Sequence, residues 1–184
     1  GDFVAYVQKG AVQIVNVVDP DTYLKGVIPS EVPSGWPAEV LKAQAVAART
    51  YAWWSVKSAR AKPANYDMDD TVSYQAYSGT SSRNPDTDAA SDATAGLIMK
   101  FAGEPIKAYF SADAGGYTES AKNYFDTELP YCIAKREMYD LATLSKPTEW
   151  TASFTLANLQ SKLVGTLLPH GVKISSIKVS EKSA

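Results

Sequence analysis

An α+β fold is predicted for this chain by three observations. A Val/Ile/Tyr-rich stretch near the start is broken at Lys9-Gly10. A long alanine-rich run from Pro37 to about Arg60 has helical character. β signals return between residues 95 and 110. The run at about 37–60 is expected to form one central helix packed against β-hairpins, with long loops between the elements.

The elements follow in chain order. Residues 3–18 hold two β-rich runs around a Lys-Gly pair suited to a turn, so they predict a hairpin. Asp19-Pro20-Asp21 then punctuates the chain. Tyr23 to Pro37 contains Pro29, Pro33 and Pro37 with Gly26 and Gly35. Proline removes a backbone donor and clashes with the preceding turn, so this stretch is expected to be a stiff loop. From Pro37 to about Arg60, proline in the first turn, Glu39 near the positive end of the dipole and seven alanines predict a helix. Residues 61–92 are polar and acidic and read as irregular. Leu97 to Phe101 and Ile106 to Phe110 flank Ala102-Gly103-Glu104-Pro105, a second hairpin. Ser111 to Ser120 reads as a small-residue loop. A short strand at Trp150 to Phe154, a helix around Leu156 to Val164 and a last strand at Val172 to Val179 complete the prediction.

Composition narrows the function classes. The chain has 184 residues, 45% hydrophobic and 21% charged, which suits a packed core. A net charge of -2 lacks the basic excess of a nucleic-acid binder. No apolar run approaches the roughly 20 residues of a membrane span. Cys132 and His170 are each single, so no intrachain disulfide forms, and serine, cysteine or histidine-rich metal chemistry would rest on one His. That His lies between Pro169 and Gly171 and reads as an exposed turn residue. Carboxylates are left as the candidate chemistry.

Glu31 sits among Val27, Ile28, Pro29, Val32, Pro33 and Trp36. Apolar surroundings disfavour the charged form of a carboxyl, the property that a general acid needs. The alternative is a surface glutamate in a loop. Lys42 and Arg49, seven residues apart, project from nearly one helix face with Ala45, Val46, Ala52 and Trp53. They would meet a carboxylate or a sugar hydroxyl, or else snorkel at the edge of the apolar stripe. Asp113 to Glu119 contains Gly115-Gly116, which suits close backbone approach to a ligand or a plain hairpin connection. Eleven tyrosines and four tryptophans, with Tyr66, Tyr74 and Tyr77 in loops, suit stacking on sugar rings, although most aromatics serve the core.

These motifs combine into one resemblance. Tyr23 to Ala52 is similar to the signature of the sporulation stage II protein D / LytB family. Asp70-Thr71 with Gln75, Tyr77 and Gly79 resembles that family's Asp-Thr…Gln-x-Tyr-x-Gly run. Thr94-x-Gly96 before a strand, and Pro105-Ile106 with Ala108-Tyr109, Ser111, Gly115, Gly116, Thr118 and Glu119, resemble its second block. Pro130-Tyr131 and Trp150 fall in register. The resemblance implies a lytic transglycosylase that cleaves the bond between N-acetylmuramic acid and N-acetylglucosamine in peptidoglycan, with loops forming a glycan cleft. Glu31 falls on the catalytic acid, and Lys42 and Arg49 on the family's following Lys and Arg. Substrate binding is implied for these two cations, for Gln75, Tyr77, Ser111, Asp113, Gly115 and Gly116, and for Thr118 and Glu119. A hydrolytic muramidase, or a non-catalytic wall-binding module that enhances an amidase, is the alternative.

Two departures stand out. Some sporulation members bind zinc through a His-Cys pair between the Asp-Thr and the Gln. Here Ser73-Tyr74 stands there, so no metal and no cofactor are expected. Protein purified without chelator is expected to carry well under one equivalent of zinc by elemental analysis, and a stoichiometric tightly bound metal would contradict this. Asp113 replaces part of a serine-rich lead into Gly-Gly, adding a carboxylate. Residues 1–184 are expected to form one family domain, truncated at its C-terminus. The implied location is the cell envelope, with no leader or anchor segment in the chain.

Overall fold

The computed structural model describes residues 1–61, 64–71, 73–137 and 151–178. The chain divides into two compact units, Gly1–Phe110 and Ser111–Ala184. The fold class is α+β, as expected.

The first unit opens with antiparallel strands β1 (Asp2–Gln8) and β2 (Ala11–Val17), in register from Asp2↔Val17 to Gln8↔Ala11. Lys9 and Gly10 form the connection with φ of 51° and 78°, the double left-handed turn that matches strand twist.

The next element corrects the sequence reading. The stretch expected to be a stiff loop is for the most part helix α1 (Pro20–Glu31). Asp19 caps it by accepting the Thr22 N–H at 3.0 Å, and Pro20 occupies the first turn, where its missing donor costs nothing. Hydrogen bonds from Thr22 hold the Asp19 carboxyl below the ordinary carboxylate range. Pro29 lies inside the helix but in its last turn. Its cost of about 3 kcal/mol is outweighed by the burial of Leu24, Val27 and Ile28, all 0% exposed, each contributing roughly 1.5–3 kcal/mol. The helix stops because of Pro33. The residue before a proline is driven to extended backbone, and Val32 has φ −140° and ψ 147°.

Helix α2 (Ala38–Ala59) forms as predicted. Leu41, Ala45, Ala48, Ala52 and Ser55 recur at spacings of three and four and are buried on one face. That face packs on α1 and on α3 (Pro85–Ala93). The sequence reading put α3 in an irregular segment. Asn84 caps it by accepting the Asp86 N–H at 2.9 Å, Pro85 starts it, and Asp86 and Asp88 complement its dipole. The core of this unit is therefore helix on helix: Leu24, Val27, Ile28, Val32, Leu41, Ala45, Ala48 and Ala90, with Tyr23 and Tyr77 packed against it. A 3₁₀ turn (Gly79–Ser82) precedes α3. The second hairpin exists but is short: β3 (Lys100–Phe101) pairs with β4 (Glu104–Pro105). Its turn is Ala102-Gly103, with φ of 49° and 84°, so Glu104-Pro105 lies in the ladder.

Gly26 is a glycine inside α1 that the packing demands. An added Cβ would lie 2.6 Å from Tyr77 Cε2 and 2.7 Å from the Gly79 carbonyl oxygen. Alanine in place of helical glycine ordinarily stabilises by about 1 kcal/mol. Here Gly26→Ala is expected to destabilise by about 1–3 kcal/mol, the range for overpacking. A denaturant titration reads the sign directly, and a gain in stability would refute the close packing.

In the second unit, Tyr117 and Arg136 form an antiparallel bridge. Helix α4 (Ala121–Phe125) is capped by Ser120, and α5 (Leu156–Leu163) by Thr155. Helix α5 was expected. The two strands predicted around it do not form: 151–154 and 172–178 have no strand pairing, while Trp150 and Val179 lie outside the described residues. The Gln160 side chain takes the backbone partners that a neighbouring strand would supply, donating to the Val172 carbonyl and accepting from the Ile174 N–H.

Candidate functional site

Glu31 is the last residue of α1 and is half-buried. The segment Gln75–Ser78 runs beside α1 and alternates its contacts. Gln75 is buried. It donates from Nε2 to the Ala48 carbonyl and accepts from the Tyr23 hydroxyl, both at 3.3 Å. The Ala76 N–H donates to Glu31 Oε1 at 3.2 Å. Tyr77 stacks on Tyr23 with centroids 5.1 Å apart, and its hydroxyl accepts from Asn16 Nδ2 at 3.1 Å. The Ser78 N–H donates to the Gly26 carbonyl at 3.2 Å, and the hydroxyls of Ser30 and Ser78 lie 3.2 Å apart. One oxygen of Glu31 is thus held by a backbone donor whose two neighbours are locked to α1 and α2.

Tyr23 shapes the electrostatics. Burial raises its phenol above the ordinary range, with the Glu31 charge as the next contribution. Its hydroxyl proton is the one donated to Gln75 Oε1. Tyr23 and Glu31 are eight residues apart on a helix, so they share a face. Read as helix, the sequence would have shown this pairing. Read as a loop, it concealed Tyr23 and Gly26 as parts of the site.

The other predicted residues are placed differently. Lys42 Nζ pairs with Glu39 Oε1 at 2.7 Å along its own helix, with more than a third of its side chain exposed. Arg49 is 1% exposed. Its guanidinium donates to Asp21 Oδ1 (3.4 Å), Thr94 Oγ1 (3.3 Å), the Leu97 carbonyl (3.3 Å) and the Ser91 carbonyl (3.0 Å). These partners lie at the start of α1, in α3 and in the turn after it. Glu31 is at the far end of α1, ten residues from Asp21, or about 15 Å along the axis. Gln75 and Tyr77 flank Ala76, whose N–H meets Glu31.

The remaining predicted residues belong to the second unit. Ser111 Oγ donates to the Asp113 carbonyl at 3.2 Å, and Asp113 Oδ1 accepts the Gly115 N–H at 2.6 Å. Gly115 and Gly116 have φ of 63° and 93°, and the Gly116 carbonyl accepts from the Glu137 N–H at 2.9 Å. Thr118 Oγ1 accepts from the Lys135 N–H at 2.9 Å. Glu119 Oε1 accepts from the Ser120 N–H and Asn123 Nδ2 at 2.8 and 3.0 Å. Among the described residues, no three His, Cys, Asp or Glu side chains gather as a metal cage, and no helix is long and apolar enough to cross a membrane.

Residues 8–101 match the family model described as stage II sporulation protein. This span holds Glu31, Lys42, Arg49, Gln75 and Tyr77. An uncharacterized protein of Brachyspira hyodysenteriae is 39% identical over 91% of this chain and 44% of its own length. The amidase enhancer of Bacillus subtilis is 37% identical over 84% of this chain and 21% of its own length. Stage II sporulation protein D of Bacillus subtilis is 34% identical over 85% of this chain and 49% of its own length. The chain spans half or less of each of these relatives.

Proposed function

The chain belongs to the stage II sporulation protein D family, and on that premise we propose that it acts in the cell envelope as a peptidoglycan lytic transglycosylase with Glu31 as its acid and base. The observation that supports this most is the bracing of Glu31. It is a half-buried carboxyl at a helix end, with one oxygen on the Ala76 N–H and the other oriented by that bond.

One carboxyl suffices for the reaction. Glu31 in its acid form protonates the glycosidic oxygen as the bond from muramic acid C1 to that oxygen breaks. The resulting carboxylate takes the proton from the muramic 6-hydroxyl as that oxygen attacks C1. The product is a 1,6-anhydro ring, no water is consumed, and Glu31 regains its proton. The chemistry uses no cofactor or metal. In the first unit Lys42 and Tyr77 are assigned to holding the strand, while Gln75, buried with both ends of its amide engaged, positions the segment beside Glu31. The Ser111–Glu119 block is a separate candidate for glycan contacts in the second unit. A hydrolytic route would need a second carboxylate to activate water or to stabilise the cation. Asp70, Asp113 and Glu119 are the candidates that the sequence offers for it.

Digestion of purified glycan strands, with and without stem peptides, followed by mass analysis tests the proposal. Anhydro ends, one water lighter than hydrolytic ends, are expected. Water-added products would make the chain a muramidase. The relative named amidase enhancer favours one further reading, a wall-binding module that accelerates an amidase. That reading predicts no cleavage by the chain alone and a faster amidase in its presence.

A further inference from the structure

A groove of about 700 Å³ in the first unit is lined by β2, the start of α1, the second half of α2 and the segment 64–70. It does not include Glu31. Its aromatic lining is Tyr6, Tyr23, Trp53, Tyr66 and Tyr77. Tyr23 and Tyr77 are the stacked pair that also braces the segment holding Glu31, so the groove shares these two residues with the candidate site. Its charged lining is three aspartates, Asp67, Asp69 and Asp70, against one cation, Arg60. Arg60 is committed to Asp67 through two bonds of 3.2 and 3.1 Å. Asp69 Oδ1 accepts from the Thr71 N–H and hydroxyl, and Asp70 is exposed. Gln13, another lining residue, has a buried Oε1 with no donor among the described residues.

Aromatic faces take the CH faces of sugar rings, and they attract an ammonium group as well. Carboxylates at the rim add to the second effect, whereas a neutral acetamido group gains from them only a hydrogen bond from its N–H and no charge attraction. We propose that this groove binds N-deacetylated segments of a glycan strand, whose free amino groups are cationic. This rests on the glycan reading above and adds a preference to it. Five aromatic side chains in one groove offer stacking surface that sugar rings use more fully than a flexible diamino side chain does, so the sugar amine, not a stem-peptide amine, is the ligand.

The test is binding of three probes by titration calorimetry: a glucosamine hexasaccharide, an N-acetylglucosamine hexasaccharide and a lysine tripeptide. The glucosamine hexasaccharide is expected to bind at least about tenfold more tightly than either other probe, the scale of one well-placed cation–π and carboxylate contact. That preference should shrink with added salt. Asp70→Asn should remove most of it. Trp53→Ala should weaken both saccharides. Trp53 is 46% exposed, so it is replaceable without loss of fold, and a thermal melt verifies this. Equal binding of the two saccharides, or tighter binding of the acetylated one, overturns the inference while leaving the glycan reading standing. Tripeptide binding as tight as that of the glucosamine hexasaccharide overturns it too. Failure of the wild-type chain to cleave glycan strands bears on the proposed function alone.

Discussion

Glu31→Gln is expected to lower the rate of glycan cleavage by at least about 100-fold, the lower range for loss of a general acid, or close to 3 kcal/mol of barrier. The substitution keeps length and shape. It also keeps an oxygen that accepts the Ala76 N–H, now held at 3.2 Å from Oε1. The segment Gln75–Ser78 therefore stays docked on α1, and the melting temperature should move little. What is lost is the acidic proton and the carboxylate that recovers it, which serve both halves of the reaction. A pairing of unchanged melt with lost turnover assigns the chemistry to Glu31. Wild-type turnover by a folded Glu31→Gln protein would remove it. A wild-type chain that cleaves nothing, yet accelerates an amidase, would shift the reading to an auxiliary role.

Much of the first unit was legible in the residues. The hairpin turn at Lys9-Gly10 and the helix at Ala38–Ala59 are dictated locally, by a turn pair with left-handed backbone and by a long alanine-rich run. Helices α1 and α3 were not. In α1 the signal that dominated was proline, and its effect depends on position within the helix. Pro20 is in the first turn and Pro29 in the last, so neither interrupts the middle. The burial that outweighs Pro29 comes from α2, α3 and the 3₁₀ turn and is a tertiary effect. In α3 the polar residues Thr87, Ser91 and Thr94 face inward, so no apolar stripe announced the helix. Its cap and first turn, Asn84-Pro85-Asp86, were the readable sign.

The candidate site was half legible. Glu31, Gln75 and Tyr77 were named from the sequence, and in the structure Gln75 and Tyr77 pack on Tyr23 on either side of the residue that meets Glu31. The joining element is the backbone N–H of Ala76, which no side-chain pattern announces. Lys42 and Arg49 share a face by their spacing, as expected. Their environments diverge because α1 and α3 cover the stripe at position 49 and leave position 42 at its edge.

Arg49→Ala is expected to cost about 3 kcal/mol or more of stability, because each buried carbonyl left without a donor costs roughly 1–3 kcal/mol. The guanidinium serves two such carbonyls, of Ser91 and Leu97, and also Thr94 Oγ1. Its ionic partner Asp21 is about half exposed and regains water when Arg49 is removed, so the carbonyls and the emptied volume set the cost. For a chain of this size the loss corresponds to a fall in melting temperature of about 6–12 °C. Arg49→Lys keeps the charge but not the fork. A single ammonium does not span partners in α1, α3 and the Leu97 turn, and it is buried with fewer bonds than it needs, so most of the destabilisation should persist. Asp21→Asn should be much milder. This pattern makes Arg49 a positioning residue for the helix that ends at Glu31. Cleavage rates measured well below the variant's melting temperature separate the two roles. A positioning residue leaves activity partly intact where the protein is folded, with the loss in kcat and little change in KM. A strand-binding residue leaves the melt near wild type and raises KM. A stable Arg49→Ala protein would refute the clamp described here.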